Sequence, residues 1–234
     1  MSVWGILMRT IVYIDGFNLY NLRLKRLPQF KWCNLFLMAQ QLAPSPNVVT
    51  RVNLYTARVS ALIDPGGPAR QQTYFDALTT EPRIKIHYGR FLFGERWAKL
   101  IIPPDARPQP YNWTLPVPAF VKVAKVEEKG SDVNLASHLL RDAFTKQFDQ
   151  ALVISNDTDL VEPIRIVTQE VKLPVGIVAP RRHRTGEAPV PSPSLARVSS
   201  FTLYLDNRHL AASQFQSPLT LANGTVISKP ATWV

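Results

Sequence analysis

The stretch from Glu127 to Val167, EEKGSDVNLASHLLRDAFTKQFDQALVISNDTDLVEPIRIV, decides the fold of this chain. A helix is predicted after Gly130, with Ser131 as its N-cap, because apolar residues then recur at helical spacing. The apolar run at 151–154 predicts a buried parallel strand, and residues 160–169 predict the next helix. The apolar face of the first helix is predicted to consist of Ala136, Leu139, Leu140, Ala143 and Phe144.

The rest of the chain also alternates between strand and helix patterns. This alternation predicts an α/β fold with a mostly parallel central sheet and helices on both faces. In such folds, ligands bind just outside the carboxyl ends of the strands. The predicted strands span 10–14, 48–59, 84–93, 120–126, 171–178 and an edge strand at 200–205; the other helices span 19–27, 32–42 and 69–80.

Residues 94–118 differ in composition from both neighbouring segments, because they combine many prolines with aromatic residues. They predict a long insertion without regular structure, and such loops are usually functional or mobile. Its aromatic residues could stack on bases and its basic residues could contact phosphates, or both could simply anchor the loop to the body. The residues concerned are Trp97, Tyr111, Trp113, Arg96, Lys99 and Arg107.

The composition is that of a basic globular protein. The chain has 234 residues, 46% of them hydrophobic, which is enough for one domain with a sizeable core. Its formal net charge is +10. A strongly basic domain most often binds polyanions, of which nucleic acid is the commonest, although the charge could also serve solubility alone. The oligomeric state stays open, and a homo-oligomer is possible.

Several features favour a cytoplasmic protein without a membrane segment. No apolar run approaches the roughly 20 residues that a bilayer requires. The opening MSVWGILM lacks the basic region of a secretory signal. The single cysteine, Cys33, excludes an intrachain disulfide, and its apolar neighbours indicate a packing role.

Four aspartates stand at three junctions where chemistry is expected. Asp15 follows the first strand, Asp132 opens a helix, and Asp157 and Asp159 follow the strand at 151–154. Carboxylates that converge repel one another unless a cation neutralises them. Oxygen ligands of this kind suit Mg²⁺ or Mn²⁺, which can polarise a phosphoryl oxygen and activate water. Together with a basic surface, they indicate a metal-dependent nuclease.

Each of these residues also has a structural alternative. Asp15 could stabilise the turn that follows it, and Asp132 could interact with the positive end of its helix. Asp159 could be an N-cap, with Glu162 completing a capping box. Asn18 could orient the metal or substrate, or cap the helix that it opens.

Other polar residues are expected at the rim of this site. Lys129 could contact phosphate or pair with Glu128, and a basic run directly follows the last core strand. His138 lies six residues beyond Asp132, about 240° around a helix, so a partly buried packing role is predicted. The candidate substrate-binding or supporting residues are Asn18, Lys129, Ser155, Asn156, Arg181, Arg182 and Arg184.

The segments IVYIDGFNLY, EEKGSDVNLASHLL and ALVISNDTDLVEPI, in this order, resemble the NYN family, the nuclease-like branch of the PIN-like superfamily. The resemblance covers roughly residues 9–180 and implies a Rossmann-like PIN fold with a divalent-metal-dependent ribonuclease site. The chain is therefore predicted to comprise an NYN/PIN-like domain at 8–184, with 94–118 as an insertion loop. Outside the motifs, the Pro/Ser-rich composition predicts a linker followed by a C-terminal extension that packs on the domain, together spanning 185–234. Many members carry another Asp where His138 stands and a Gly where Asn156 stands. The acids that the resemblance places in the site are Asp15, Asp132, Asp157 and Asp159, with Asn18 beside them.

Three functions therefore compete. The first is a metal-dependent endoribonuclease that cleaves single-stranded or structured RNA. The second is a catalytically weak or inactive nucleic-acid-binding or regulatory NYN module, which the residue at His138 favours. The third is a phosphatase of the haloacid-dehalogenase type, because DTDLV at 157–161 fits its motif, with Asp157 as covalent nucleophile. That motif normally follows the first strand, whereas here it comes late in the chain.

Overall fold

The computed structural model describes residues 7–61, 64–102, 115–180 and 191–234. The helices in these ranges are α1 (Gly16–Leu22), α2 (Leu35–Leu42), α3 (Gly67–Thr79), α4 (Ser131–Phe144), α5 (Val161–Arg165), α6 (Pro193–Val198) and α7 (Asn207–Ala211). The strands are β1 (Arg9–Asp15), β2 (Val48–Thr56), β3 (Ile84–Tyr88), β4 (Arg90–Lys99), β5 (Phe120–Lys129), β6 (Gln150–Ile154), β7 (Val175–Ala179), β8 (Phe201–Tyr204), β9 (Leu219–Thr220) and β10 (Val226–Ile227). Single 3₁₀ turns span Leu24–Arg26, Pro28–Phe30 and Thr158–Leu160, and a π turn spans Ile166–Val171.

A six-stranded parallel sheet in the order β3-β2-β1-β6-β7-β8 forms the centre of the fold. The chain moves outward from β1 through β2 to β3, and then resumes on the other side of β1 with β6. The strand order therefore reverses between β1 and β6, which opens a crevice at their carboxyl ends. The predicted α/β class with a parallel sheet is confirmed.

Helices cover both faces of this sheet, as the sequence predicted. Val12 and Ile14 of β1 pack in one core with α1, α2, α3 and α7, whereas Ile11 and Tyr13 pack in a second core with α4, α5 and α6. Because both faces are covered, β6 and β7 are buried at every position, which explains their continuous apolar runs. Cys33 is fully buried in the first core.

The start of α4 differs from the prediction. Gly130, with φ of +100°, occupies the N-cap position, and Ser131 is the first helical residue. The predicted Ser131 cap is therefore wrong: the Glu128 carboxylate accepts hydrogen bonds from the Ser131 backbone N–H at 3.1 Å and hydroxyl at 2.6 Å. Phe144 was predicted on the apolar face, but its side chain is 64% exposed. The buried apolar residues of α4 are Leu135, Leu139 and Ala143.

The predicted strand at 84–93 is two strands, because the chain breaks at Gly89. A Cβ atom on Gly89 would lie 2.1 Å from Glu128 Oε1 and 2.8 Å from the Lys129 carbonyl oxygen, so only glycine fits there. Beyond the break, β4 leaves the central sheet and forms an antiparallel hairpin with β5. Residues 94–99 therefore form part of a strand rather than an irregular insertion, while 103–114 lie outside the described residues.

Several helix bounds are shorter than predicted. The helix predicted at 19–27 is α1 followed by a 3₁₀ turn. The helix predicted at 32–42 begins at Leu35, because the Asn34 side chain accepts from the backbone N–H groups of Phe36 and Leu37 at 3.0 and 3.2 Å. The helix predicted at 160–169 is α5, preceded by a 3₁₀ turn and followed by a π turn.

The C-terminal segment 191–234 packs on the body of the fold. Leu205 and Leu210 are buried in the first core. The ring of Trp32 lies 5.9 Å from that of Phe215 and 6.3 Å from that of Trp233, measured between centroids. Among the described residues, no helix combines the length and the apolar character needed to span a bilayer.

Candidate metal centre

Asp15 ends β1 at the crevice and is only 3% exposed. Its Oδ1 accepts a hydrogen bond from the Asn18 backbone N–H at 2.9 Å, so Asp15 is the N-cap of α1. Its Oδ2 accepts from the Ser155 hydroxyl at 2.9 Å. Burial raises the pKa of the Asp15 carboxyl above its usual value. Asp15 therefore has a structural role at the turn and also presents a carboxylate at the crevice.

Ser155 connects the ends of the two central strands. It is fully buried, and its hydroxyl donates to Asp15 while accepting from the Asp157 backbone N–H at 3.0 Å. Asp157 Oδ1 accepts from the Asp159 backbone N–H at 3.0 Å, so Asp157 caps the 3₁₀ turn. The proposed cap at Asp159 with Glu162 is therefore wrong, and Glu162 instead pairs with the following Arg165.

Carboxylate oxygen atoms of Asp15, Asp132 and Asp157 all lie within 4.8 Å of one another. We call these three residues the carboxylate triad. Asp132 enters from the first turn of α4. The pKa of Asp132 is raised to about 6, first by burial and then by the negative charges of Asp15 and Asp157. Residues far apart in the sequence therefore form a single site at the topological switch point.

The triad has the donor set of a hard-cation site. Within the described parts of the chain, no lysine or arginine forms an ion pair with any of its carboxylates. All three donors are carboxylate oxygens, which suit Mg²⁺ or Mn²⁺ with water completing the coordination. These residues fit a divalent cation, because a cation would offset the mutual repulsion of their charges.

Two asparagines brace the loop that carries Asp157. The Asn18 amide oxygen accepts from the Asn156 backbone N–H at 2.9 Å, which joins α1 to the end of β6. The Asn156 amide oxygen accepts from the Ser192 backbone N–H at 2.7 Å. Asn18 does not cap its helix, because Asp15 does. These two residues therefore hold the loop in place beside the triad.

Among the described residues, two other candidates do not belong to the triad. Asp159 is exposed and is not among the converging carboxylates. The Lys129 ammonium lies 3.4 Å from Glu127, in an exposed ion pair. The last group, Arg181, Arg182 and Arg184, lies outside the described residues.

His138 belongs to a different cluster. Its Nδ1 atom lies 3.0 Å from the Tyr55 hydroxyl, and its ring centroid lies 4.5 Å from that of His87. The pKa of His138 is lowered, first by burial and then by the charge of Arg141. His138 is half-buried packing away from the face of Asp132, as the helical spacing predicted.

A separate cavity of about 460 Å³ lies between α1, α3 and the C-terminal segment. Its walls include the aromatic rings of Tyr20, Tyr74 and Trp233. The Lys31 ammonium lies 5.3 Å from the centroid of Tyr20 and 6.0 Å from that of Trp233. The sequence analysis missed this cavity because its walls come from segments that are distant in the chain.

The fold and the triad define an α/β protein that carries a cluster of three carboxylates at the switch point of its sheet. No protein-family model matches the chain. The chain is 26% identical over 248 positions to the 6-hydroxy-3-succinoylpyridine 3-monooxygenase HspA of Pseudomonas putida, covering 97% of this chain and 75% of that protein. A solved structure of a protein of unknown function from Vibrio parahaemolyticus matches with a TM-score of 0.49 and 15% identity, covering 88% of this chain and 98% of that chain.

Proposed function

We propose that this chain is a divalent-metal-dependent ribonuclease of the NYN type that acts on single-stranded or structured RNA. The carboxylate triad carries the proposal: three side chains from distant segments converge within 4.8 Å. Folding brings these like charges together although they repel, and a bound cation would offset that repulsion. The oxygen-only donor set favours Mg²⁺ or Mn²⁺.

In this proposal, Asp15, Asp132 and Asp157 hold the cation. When bound, it would polarise a phosphoryl oxygen and lower the pKa of a coordinated water. Ser155 fixes Asp15 through its hydroxyl and receives the Asp157 backbone N–H, so it keeps the two carboxylates at one spacing. Asn18 holds the loop after β6 against α1. In the reaction, a water oxygen bonds to phosphorus, the bond to the leaving sugar oxygen breaks, and that oxygen gains a proton.

The charge distribution supports an RNA substrate. The chain carries 27 basic and 17 acidic residues, so its field attracts a polyanion. The triad alone would repel phosphates, and the cation at its centre with basic residues around it would reverse that effect. Binding that rests on such phosphate contacts weakens steeply as salt concentration rises, because counterions are released.

A cleavage assay on a single-stranded RNA tests the proposal. The full chain is incubated with an end-labelled RNA in Mn²⁺ or in EDTA, beside Asp157→Asn and the control Asp76→Asn on α3. We expect cleavage in Mn²⁺ only, a loss of at least about 100-fold in Asp157→Asn, and no change in the control. Equal cleavage by the wild type and Asp157→Asn would reject the triad as the active site, provided that circular dichroism shows both proteins to be folded.

The same assay addresses the regulatory alternative and the phosphatase. RNA binding without cleavage by any sample would favour a catalytically inactive nucleic-acid-binding module. Asp159→Asn adds a further comparison. Because Asp159 is exposed beside the triad, this substitution should reduce cleavage much less than Asp157→Asn does. Turnover of a generic phosphomonoester that disappears in Asp157→Asn would instead support the phosphatase.

The similarity to a monooxygenase across 97% of the chain favours a second candidate function. On that basis the chain would hydroxylate a pyridine-type ring, using O₂ and a two-electron reductant. The cavity of about 460 Å³ beside α1 has the size and the aromatic walls of a small-molecule site. Two features weigh against this candidate. The triad contains no imidazole, whereas non-haem iron oxygenases use two histidines and a carboxylate. The turn after β1 carries Asp15 instead of the glycine-rich loop that holds a dinucleotide.

Oxygen uptake distinguishes this candidate from the nuclease. The assay contains 6-hydroxy-3-succinoylpyridine, O₂ and a reduced nicotinamide or flavin as electron donor. Substrate-dependent O₂ uptake with formation of a hydroxylated ring would support the monooxygenase. RNA cleavage without such uptake supports the nuclease, and Tyr74→Ala in the cavity should then leave cleavage unchanged.

A further inference from the structure

The hairpin of β4 and β5 stands apart from both cores. Within the described residues, its two strands pair only with each other and not with the central sheet, in ten residue pairs from Arg90 opposite Lys129 to Lys99 opposite Phe120. A two-stranded ribbon is marginally stable by itself in water, and no residue of either strand is buried here. A protein that keeps such a ribbon exposed with large apolar side chains on it usually binds something there.

The register separates the hairpin into two faces, because directly opposed residues point to the same side. One face carries an aromatic row, which we call the aromatic face. Phe93 is 46% exposed, Trp97 68% and Phe120 55%. Rings that are this exposed contribute little to the packing of the protein itself. The residues of the aromatic face are Phe91, Phe93, Trp97 and Phe120.

The aromatic face begins at the triad. The ring of Phe91 lies 5.5 Å from that of Phe17, two residues after Asp15, in an edge-to-face contact. Opposite Phe91, the Glu128 side chain bonds to Ser131, the residue before Asp132. The row therefore extends away from the metal centre along β4, and six residues of strand from position 91 to 97 span about 20 Å.

Charge indicates the chemistry of the occupant. The two strands contain six lysines and arginines and three glutamates. By this register Lys99 lies on the aromatic face opposite Phe120, whereas Arg90 and Arg96 lie on the other face of the hairpin. None of the three forms an ion pair with another residue in the described part of the chain. A second copy of this chain would bring these like charges together, whereas a polyanion would neutralise them. Aromatic rings beside cations are the usual surface for an unpaired nucleic-acid strand, whose bases stack while its phosphates pair.

We propose that the aromatic face binds single-stranded RNA by base stacking and leads it to the carboxylate triad, an inference that rests on the proposed ribonuclease function. Duplex RNA cannot use this face in the same way, because its bases are already stacked on one another. The inference narrows the proposed substrate from RNA in general to single-stranded RNA.

The test measures binding in EDTA, so that nothing is cleaved. Fluorescence anisotropy of a labelled 12-nucleotide RNA is followed with the wild-type chain, Trp97→Ala, Trp97→Phe and the control Phe144→Ala. Phe144 is a matched control because it is 64% exposed at the far end of α4. We expect Trp97→Ala to weaken binding by about tenfold or more, Trp97→Phe to retain most of it, and Phe144→Ala to change nothing.

Three results would overturn the inference: equal losses in Trp97→Ala and Phe144→Ala, a duplex of the same sequence bound as tightly as the single strand, or single-stranded DNA bound more tightly than RNA. Light scattering adds a fourth, since a dimer that Trp97→Ala dissociates without changing RNA affinity would assign the face to a second copy. Cleavage by a Trp97→Ala variant with unchanged affinity would reject the aromatic face and keep the ribonuclease. An RNA affinity that depends on Trp97, without any cleavage, would support the aromatic face and reject the ribonuclease.

Discussion

The two ends of α4 hold carboxylates in opposite circumstances. Asp142, near the carboxyl end, is 1% exposed, and its oxygens accept from the Tyr13 hydroxyl at 2.8 Å and the Arg141 guanidinium at 2.8 Å, with Arg51 completing an ion pair. Asp132, at the amino end, faces two further carboxylates. The fold neutralises one acid completely and leaves the other with like charges. A buried acid with its own cations has a structural role, whereas carboxylates that are held together repel one another until a proton or a cation offsets their charge.

Removal of the neutralised acid should produce the largest effect. Asp142→Ala leaves Arg51 without its partner and the buried Tyr13 hydroxyl without an acceptor, so we expect the free energy of unfolding to fall by about 3–5 kcal/mol. Urea denaturation followed by circular dichroism measures it. The control Asp149→Ala breaks the exposed pair with Arg9 and should cost about 1 kcal/mol or less. Similar losses in both variants would contradict the structural role of Asp142.

Added metal should stabilise the protein only when the carboxylate triad, at the amino end of α4, is intact. A cation that binds only the folded chain stabilises it by about 2.7 kcal/mol at one hundred times its Kd. We expect Mn²⁺ to raise the melting temperature of the wild-type chain and of Asp149→Ala, but to have little effect on Asp157→Asn, which lacks a ligand. A Mn²⁺ shift that is equal in Asp157→Asn would place the cation elsewhere.

In EDTA, Asp132→Asn should stabilise the protein. The substitution removes one of the like charges that burial and the triad disfavour, and the expected gain in the free energy of unfolding is about 1 kcal/mol after allowance for solvent screening. The positive end of α4 favours Asp132, but its raised pKa shows that repulsion and burial outweigh that attraction. A loss of stability in urea denaturation would mean that Asp132 acts chiefly on its helix.

The sheet and the triad follow from local sequence features. Apolar runs such as the one at 151–154 predicted buried strands correctly, because covered faces require continuous apolar residues. Asp15 and Asp157 were placed correctly at strand ends, and the parallel topology then brings those ends together. Asp159 has a similar sequence context but a different result, since it lies two residues further along, inside the 3₁₀ turn, where its side chain is exposed.

The errors arise where a distant side chain decides the local structure. The pattern at 84–93 continues through Gly89, and the break follows from the approach of Glu128, which is far along the chain. The glycine itself was the available signal, because a glycine inside a strand pattern often marks a bend or a close contact. Asp142 was missed as well, although its position beside Leu139 and Ala143 on the buried face could have indicated a paired acid.

The smallest expected effect concerns His87, which lies beside the neutralised acid. Burial and the neighbouring His138 lower the pKa of His87 to about 4, with Arg51 and Arg141 acting in the same direction and Asp142 against them. The unfolded chain, with a histidine pKa near 6.5, therefore takes up more protons than the folded chain between about pH 6.5 and 4. This contribution to stability is complete above pH 6.5 and is lost as the pH falls.

A His87→Gln variant isolates that contribution, since an amide cannot titrate and still reaches the Asn53 amide oxygen, 3.2 Å from Nε2 in the wild type. Because His87 is half-buried, we expect the wild type to lose about 1 kcal/mol more than the variant between pH 7 and pH 4, after allowance for solvent screening. NMR titration reads the pKa of His87 directly. A pKa near 6.5, or equal acid losses in both proteins, would mean that the surroundings of Asp142 accept a further positive charge. The contrast between the ends of α4 would then be smaller than the geometry indicates, because a carboxylate that is already paired with two guanidinium groups should attract one more cation only weakly.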